Sequence, residues 1–469
     1  MPHRSGNTSE LAIRTERGVN GRHGARPPGK GAFAFICISA LMSALSFAII
    51  VPVLPELVRE LGGGDRATAA EWMMALASAW GVAQLVSSPL LGRLADRHGR
   101  RPVLLLSSFG LGIDCLFMAF APSLALLLVA RLISGATAAS VPTARAYLAD
   151  IVPEQHRTAA FGKLASTLGV GFIAGPAIGG LLSEYDLRLP FVIAAAICVA
   201  NCAFGCCVLP ESLPESRRGI AAPRAQSAAI PGGFALLRTS ALRDLLAIGF
   251  LNSLANMIWG SVWVLFCGHR SGWSPAQMGL QMMAAGALGV LVQAWLVGPL
   301  VRRFGERTML RTGLAVSAAS MAYAAFAPNG WWFVASMPVA ALGLILAPSL
   351  SGLLSRAAGD AQQGSVQGAA QSLHGLATIV GPPLYGTLFA WSLHQQTSTD
   401  LVGLAVLLSA LFLSAGLVLS ARRSPPRTDA HGDDEHSADH KPEQRRNDGE
   451  PDPAGDCADS GNVAGPPFK

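Results

Sequence analysis

Asp114 is an acid in the middle of an apolar stretch, where a carboxyl group could bind and release a proton. It follows Arg101 by 13 residues, which is about 20 Å of helix at roughly 1.5 Å per residue. A hydrocarbon core is about 30 Å thick, so Asp114 is expected deep inside it if the stretch crosses a membrane. A charged carboxylate is costly there, which favours reversible protonation. A structural hydrogen bond to a neighbouring helix is the alternative interpretation.

Arg131 is the best candidate for a charge partner of Asp114. It opens the next apolar stretch, in the pattern Arg131-x-x-x-Gly135, and a guanidinium keeps its proton in proteins. We therefore assign proton coupling to Asp114 and Arg131.

Apolar stretches make up most of the chain and must position these charges. Of 469 residues, 51% are hydrophobic and 14% charged, against roughly 25% charged in soluble domains. A helix needs about 20 apolar residues to cross a bilayer. Twelve stretches meet this need, and we number them as spans 1 to 12: 32–58, 69–91, 102–121, 124–149, 158–183, 190–209, 241–267, 276–301, 308–327, 331–355, 364–391 and 399–421. The prediction is an all-α membrane protein of twelve transmembrane helices.

Positive charge precedes span 1 and then recurs in every second loop. By the positive-inside rule those loops and both termini are cytoplasmic. We expect a multi-pass protein of a bacterial-type inner membrane, in contact with lipid, with a basic cytoplasmic tail at 1–30. Bases confined to alternate short loops do not indicate nucleic-acid binding.

Two segments between and after the spans lack apolar periodicity. Residues 210–240, rich in Pro and Arg, are predicted to be a cytoplasmic linker, and residues 424–469 hold 11 acids and 5 bases with few large apolar side chains. Such a composition cannot form a core, so 422–469 is predicted to be a disordered cytoplasmic tail.

An internal repeat relates two distant parts of the chain at a constant offset of 206 residues. Gly99 matches Gly305 at this offset, and Pro176 matches Pro382. The repeat predicts two parallel six-helix bundles, at 31–209 and 241–421, with a substrate cavity near the midplane between them.

The loop between spans 2 and 3 reads Gly92-x-Leu-x-Asp96-Arg97-x-Gly99-Arg100-Arg101. This spacing resembles a signature of the major facilitator superfamily. The glycines permit a tight connection and the arginines suit a cytoplasmic surface. The resemblance implies that this loop acts as a conformational latch, with a merely positive-inside turn as the alternative. The latch residues are Gly92, Asp96, Arg97, Gly99, Arg100 and Arg101.

Span 5 resembles the glycine pattern of the exporting antiporters in that superfamily. Small residues let helices approach closely, and a proline adds a bend. The resemblance implies export, and close packing alone is the alternative. The residues are Gly162, Gly171, Gly175, Pro176, Gly179 and Gly180.

Within the superfamily the chain is most similar to the tetracycline:proton antiporters, from roughly Ile50 to Phe389. Asp114 falls where that family has a functional membrane carboxylate. The family's other membrane acids fall on Ser43 and Ser317, and a family histidine falls on Gly289. These departures predict a substrate other than tetracycline.

The resemblance implies a proton-coupled antiporter that exports a small amphipathic, drug-like compound by alternating access. An importer or proton symporter of a small metabolite, and a non-transporting sensor, are the alternatives. We expect a monomer that binds protons and a small molecule, with no cofactor or metal and no enzyme activity. Candidate cavity residues are Gln84, Arg145, Asn256, Gln293 and His374. Arg145 could also snorkel to the membrane interface.

Overall fold

The computed structural model describes residues 30–213, 240–395 and 401–422. Within those ranges all regular structure is helical. The basic N-terminal tail, most of the linker and all of the C-terminal tail beyond 422 lie outside the described residues, so the predictions about them stay predictions.

The N-terminal half holds spans 1 to 6 in chain order. Asp65 begins span 2 by accepting a 2.8 Å hydrogen bond from the backbone N–H of Thr68, which caps the helix. The helices are Lys30–Ile50 and Leu54–Leu61 for span 1, Arg66–His98 for span 2, Arg100–Phe120 for span 3, Leu124–Ala136 and Ser140–Ile151 for span 4, Glu154–Leu182 for span 5 and Leu189–Val208 for span 6.

The C-terminal half repeats this order with more interruptions. Span 8 contains a π-helical turn, a feature that often marks functional sites. The helices are Ser240–Asn256, Ile258–Ser261 and Trp263–Ser271 for span 7, Pro275–Leu291, the π-helical Val292–Leu296 and Val297–Phe304 for span 8, Glu306–Phe326 for span 9, Gly330–Leu342, the 3-10 turn Gly343–Ile345 and Leu346–His394 for spans 10 and 11, and the 3-10 turn Leu401–Gly403 with Leu404–Ala421 for span 12.

Ten helices in the described residues are long and apolar enough to cross a membrane. The number is eleven if Leu242–Ser261 and Trp263–Ser271, bent by 55°, form one span. Glu306–Phe326 is a helix at the position of span 9 but is not one of these. The all-α membrane fold is confirmed, and a twelfth crossing at span 9 stays a prediction.

Spans 1 and 4 are not the continuous helices that we predicted. Span 1 turns at 51–53, where Pro52 interrupts the helical hydrogen bonding. Span 4 breaks at 137–139, and the hydroxyl of Ser107 accepts a 3.2 Å hydrogen bond from the backbone N–H of Ala139 at the break. A polar side chain of span 3 thus adds a second acceptor to a backbone donor that also bonds the carbonyl of Thr137.

The prediction of a loop between spans 10 and 11 is wrong. The backbone is helical through 356–363 as part of Leu346–His394, in a segment that contains the good helix formers Ala, Gln and Arg. Two separate stretches still have crossing length and hydropathy, Gly330–Ala358 and Gln363–His394.

The two halves contact each other at one end and around the middle of the spans, where Gly81 packs against Thr378 and Gly286 against Ile173. We call the end that carries the loops 92–101 and 298–307 the basic end, and the other the opposite end. At the opposite end Arg66 lies 2.9 Å from the Nδ1 of His269, and Glu71 lies 3.9 Å from the Nε2 of His394. At the basic end a methyl group placed on Gly162 or on its repeat partner Gly368 would meet no atom within 4 Å.

Candidate functional site

Asp114 and Arg131 form an ion pair inside the N-terminal half. The Nη1 of Arg131, on span 4, lies 3.4 Å from the Oδ2 of Asp114, on span 3. The carboxylate has no exposed surface, whereas 8% of the arginine side chain is exposed. Arg131 also contacts the sulfur of Met118 at 3.4 Å.

The pair is incompletely hydrogen bonded for such a buried position. Among the described residues, the two carboxylate oxygens of Asp114 have no hydrogen-bond partner, and the Nε of Arg131 has none either. Ser134, one turn after Arg131, interacts with Asp114 at a geometry short of a regular hydrogen bond. Buried polar groups usually find partners, so an unsatisfied pair favours a functional role over a purely structural one.

A central cavity of about 440 Å³ lies between the two halves next to this pair. Arg131 lines it from the N-terminal half, and Asn256 and His374 line it from spans 7 and 11. Asn256 donates a 2.8 Å hydrogen bond to the carbonyl of Asn252, and the Nδ1 of His374 lies 3.3 Å from the hydroxyl of Ser253. Two of the predicted cavity residues therefore meet Arg131 at one site.

Aromatic side chains from both halves face the central cavity. Phe47 and Trp80 come from spans 1 and 2, and Trp259 comes from span 7. The cavity can therefore hold an apolar, aromatic ligand with a few polar contacts, as small-molecule sites commonly do. The sequence interpretation missed Phe47 and Trp80, because an aromatic residue in an apolar span carries no sign of the face on which it lies.

A second cavity, of about 250 Å³, lies within the N-terminal half, and we call it the serine chamber. Gln84 lines this chamber rather than the central cavity. Asn201 stands beside it and donates a 3.0 Å hydrogen bond to the hydroxyl of Ser108. Six serines line the chamber: Ser39, Ser43, Ser107, Ser108, Ser134 and Ser140. Ser317, by contrast, packs in the C-terminal half where a methyl group at Gly343 would strike it.

The predicted latch residues form a charge network at the basic end. Arg100 donates to Asp96 at 2.5 Å and to Asp150, at the end of span 4, at 3.3 Å. Gly99 begins span 3 with a φ of 108°, a conformation that residues with a Cβ rarely adopt. Gly92 and Arg97 are exposed, and Arg101 contacts the backbone carbonyl of Cys206.

Glu211 binds this loop, and the sequence analysis did not predict this role. Its carboxylate accepts hydrogen bonds of 2.7 Å and 3.1 Å from the backbone N–H groups of Arg100 and Arg101, at the first turn of span 3. A negative charge is favourable at a helix N-terminus. A Cβ at Gly99 would collide with Glu211, so glycine is needed there. The only available signal was an acid in a Pro-Glu-Ser segment just after span 6.

The glycine pattern of span 5 lies against two other spans. Methyl groups on Gly171 and Gly175 would crowd Ala44 and Ala48 of span 1. A methyl group on Gly180 would strike Pro275 at the start of span 8, in the other half. Gly179 faces the backbone of Ile49, and the carbonyl of Pro176 faces Gly279 of span 8. The pattern thus permits close packing within the N-terminal half and between the halves, with Gly162 outside these contacts.

Two predicted cavity residues lie away from both cavities. Arg145 is exposed on the part of span 4 that follows the break, and Gln293 is exposed in the π-helical turn of span 8. Neither belongs to the lining of the central cavity or the serine chamber.

Comparison with known proteins agrees with this architecture. A family model described as Major Facilitator Superfamily matches residues 36–382 and, in a second match, 245–448. The chain belongs to the Major Facilitator Superfamily. It is therefore a multi-pass membrane transporter rather than an enzyme, and the family's members handle small molecules.

Resistance proteins are among its relatives in this superfamily. The chain is 35% identical to the tetracycline resistance protein, class C, of Escherichia coli over 353 residues, which is 75% of this chain and 88% of that protein. It is 32% identical to the class B protein of Escherichia coli over 357 residues, covering 76% and 88%. The multidrug resistance protein 2 of Bacillus subtilis is 28% identical over 373 residues, covering 78% and 90%.

Solved structures of the superfamily share the fold. A bacterial homologue of the human lysosomal transporter Spinster, crystallised in an inward-facing and unoccupied conformation, matches with a TM-score of 0.68 at 14% identity, covering 85% of this chain and 97% of that one. The nucleoside transporter NupG matches with a TM-score of 0.66 at 15% identity, covering 83% and 98%.

Proposed function

We propose that this protein is a proton-driven antiporter that exports a small amphipathic compound. The observation that carries the proposal is the buried pair of Asp114 and Arg131 at the wall of the central cavity. A titratable acid next to a substrate cavity is the arrangement that coupling requires, because protonation can then change the charge that the substrate meets. The glycine pattern of span 5 and the relatives named as tetracycline and multidrug resistance proteins favour export.

The charge balance of the cavity explains how proton and substrate would exclude each other. With Asp114 ionised, the pair is neutral and the cavity wall is apolar and aromatic, which suits an uncharged amphipathic compound. Protonation of Asp114 leaves Arg131 as an unpaired cation at the wall. That charge attracts water and disfavours the apolar ligand. Exclusion of this kind is the thermodynamic basis of antiport, since each ligand weakens the binding of the other.

The closed opposite end and the open basic end are one state of an alternating-access cycle. We infer that the basic end is cytoplasmic, because bases concentrate in its loops. The state described here then opens toward the cytoplasm, where an exporter takes up its substrate. A reporter domain fused after Arg423 and another within the linker at 210–240 should both read as cytoplasmic. A periplasmic reading from the linker would contradict this orientation.

The network around Asp96 is proposed to act as the latch of this cycle. Asp96→Asn removes the charge that Arg100 contacts at 2.5 Å while keeping the size of the side chain. We expect normal membrane insertion and a transport rate reduced by about tenfold or more, as 1.4 kcal/mol of lost stabilisation would give. A normal rate in this variant would reduce the loop to a topological role.

Inverted membrane vesicles provide the test of function. In energised vesicles the lumen corresponds to the outside of the cell, so an exporter accumulates its substrate there and releases protons from the lumen. The panel would contain tetracycline, an uncharged aromatic compound and an aromatic cation. We expect at least one compound to accumulate and to dissipate the pH gradient. Energised loss of a preloaded compound from the lumen would instead identify an importer.

Two other interpretations make different predictions in the same vesicles. A proton symporter of a small metabolite would release the preloaded metabolite from the lumen together with protons. A sensor would move no compound at any pH gradient. We further propose that the chain acts as a monomer, because both repeat-related halves that an alternating-access cavity needs are joined in one chain.

A further inference from the structure

The central cavity and the serine chamber share a wall but differ in chemistry. Phe47 and Trp80 line both of them. Among the described residues, Arg131 is the one Asp, Glu, Lys or Arg that lines the central cavity, whereas the serine chamber is lined by hydroxyls and by none of these four residue types. Asp114 lines neither cavity, although Arg131 and Ser134, one helical turn apart, place it beside both.

A proton cannot reach Asp114 easily from the central cavity. On that side Arg131 stands between the carboxylate and the cavity, and its guanidinium has no lone pair with which to accept a proton. Its positive charge also repels a hydronium ion. The groups that face Asp114 are Arg131 and Ser134 of span 4 and the buried thiols Cys115 and Cys198 of spans 3 and 6. Thiols are weak donors and weak acceptors, which leaves Ser134 as the competent neighbour.

Ser134 can carry a proton to Asp114, which Arg131 cannot do. Its hydroxyl lies near Asp114, at a geometry short of a regular hydrogen bond, and the same side chain lines the serine chamber. A hydroxyl both donates and accepts, so it can pass its own proton to the carboxylate while it takes one from a hydronium ion in the chamber. The carboxylate becomes a carboxylic acid, the hydronium ion becomes water and Ser134 is unchanged. Only O–H bonds form and break.

The serine chamber also extends toward the basic end, from which protons would have to enter it. Its lining continues past the break in span 4 to Ala144 and reaches Leu164 of span 5, on the side of the basic end. The chamber is roomy and polar enough for several waters, each of which needs two to four polar partners. Asn201 adds a buried amide oxygen without a hydrogen-bond partner among the described residues.

We propose that the serine chamber is the proton vestibule of this transporter and that Ser134 relays protons between the chamber and Asp114. The proposal rests on the proposed coupling through Asp114. It assigns proton and substrate to separate cavities, the proton to the serine chamber and the substrate to the central cavity. In the conformation described here Asp114 then exchanges protons with the basic end.

The rate of Asp114 protonation tests the relay without any substrate. The purified full-length protein in lipid nanodiscs is subjected to a pH jump, and the carbonyl stretch of the protonated carboxyl group is followed by infrared spectroscopy. The band is assigned to Asp114 by its absence in Asp114→Asn. We expect Ser134→Ala to slow the appearance of the band by about tenfold or more, which corresponds to 1.4 kcal/mol of barrier. Ser134→Thr retains a hydroxyl and should keep the normal rate.

Ser349→Ala is the matched control, because Ser349 is also a buried serine and its hydroxyl donates to the nearby backbone carbonyl of Ile345, in the 3-10 turn just before its own helix. It should leave the rate unchanged. An unchanged rate in Ser134→Ala, or an equal slowing in Ser349→Ala, would overturn the vestibule and leave the proposed function standing. Absence of the Asp114 band in the unmodified protein at every pH would overturn the coupling site, and with it both proposals.

Discussion

The Nη2 of Arg356 lies 3.0 Å from the Oε1 of Glu306 at the basic end of the C-terminal half. The repeat offset of 206 places these two residues on Asp150 and Arg100, whose own ion pair measures 3.3 Å. The same contact therefore occurs in both halves with its charges exchanged. The two halves thus share the position of the ion pair but not the residue types that form it. A comparison of residue types alone therefore misses this pair.

The two repeat-related ion pairs should differ in their effect on stability. Arg356 is 76% exposed and has one acidic partner, whereas Arg100 is 15% exposed and contacts both Asp96 and Asp150. Arg356→Gln should cost less than about 1 kcal/mol, as exposed pairs do. Arg100→Gln should cost more, about 2 kcal/mol, because it leaves a half-buried carboxylate without a cation. Thermal unfolding followed by tryptophan fluorescence compares the two, and equal midpoints would contradict the difference.

Gly99 and Gly305 form a second matched pair of positions. Both lie directly before a helix with positive φ, 108° and 78°, and with ψ of 167° and 155°, a region in which a residue with a Cβ costs about 1–3 kcal/mol. A methyl group at Gly305 meets no atom within 4 Å, whereas one at Gly99 collides with Glu211. Gly99→Ala should therefore lower the unfolding midpoint more than Gly305→Ala. Removal of the collision in Gly99→Ala/Glu211→Ala would not restore the midpoint, since the cap on span 3 is lost as well.

Gly180 packs between the two halves, whereas Gly162 packs against no other described residue, so the two positions can be compared. Valine at Gly180 would strike Pro275 across the contact between the halves, and valine at Gly162 would meet open space. Gly180→Val should increase the distance between the two halves at the opposite end, and Gly162→Val should leave that distance unchanged. Spin labels on cysteines at Glu71 and His394, which face each other at 3.9 Å, report the separation. An unchanged label distance in Gly180→Val would show that this glycine does not hold the halves together.

The sequence predicts the helices and the charged centre well, and the faces of the helices poorly. Hydropathy alone locates the apolar spans, and charge alone suggests that Asp114 and Arg131 meet, because two buried opposite charges lower each other's cost. Asn256 and His374 reach the central cavity, while Arg145 and Gln293 do not, because polarity does not tell which side of a helix faces a cavity. The break in span 4 is hydrogen bonded to Ser107 of another helix, and no local pattern encodes such a contact.

Proton coupling through Asp114 is the central claim, and Asp114→Asn is its most direct test. The substitution keeps the size of the side chain and removes the titratable group. In inverted vesicles, with the compound that the panel identifies as substrate, the variant should lose energised accumulation and should retain exchange down a concentration gradient. A matched Asp186→Asn variant, in the exposed loop between spans 5 and 6, controls for loss of an acid. Energised accumulation in Asp114→Asn at the rate of the unmodified protein would contradict the account.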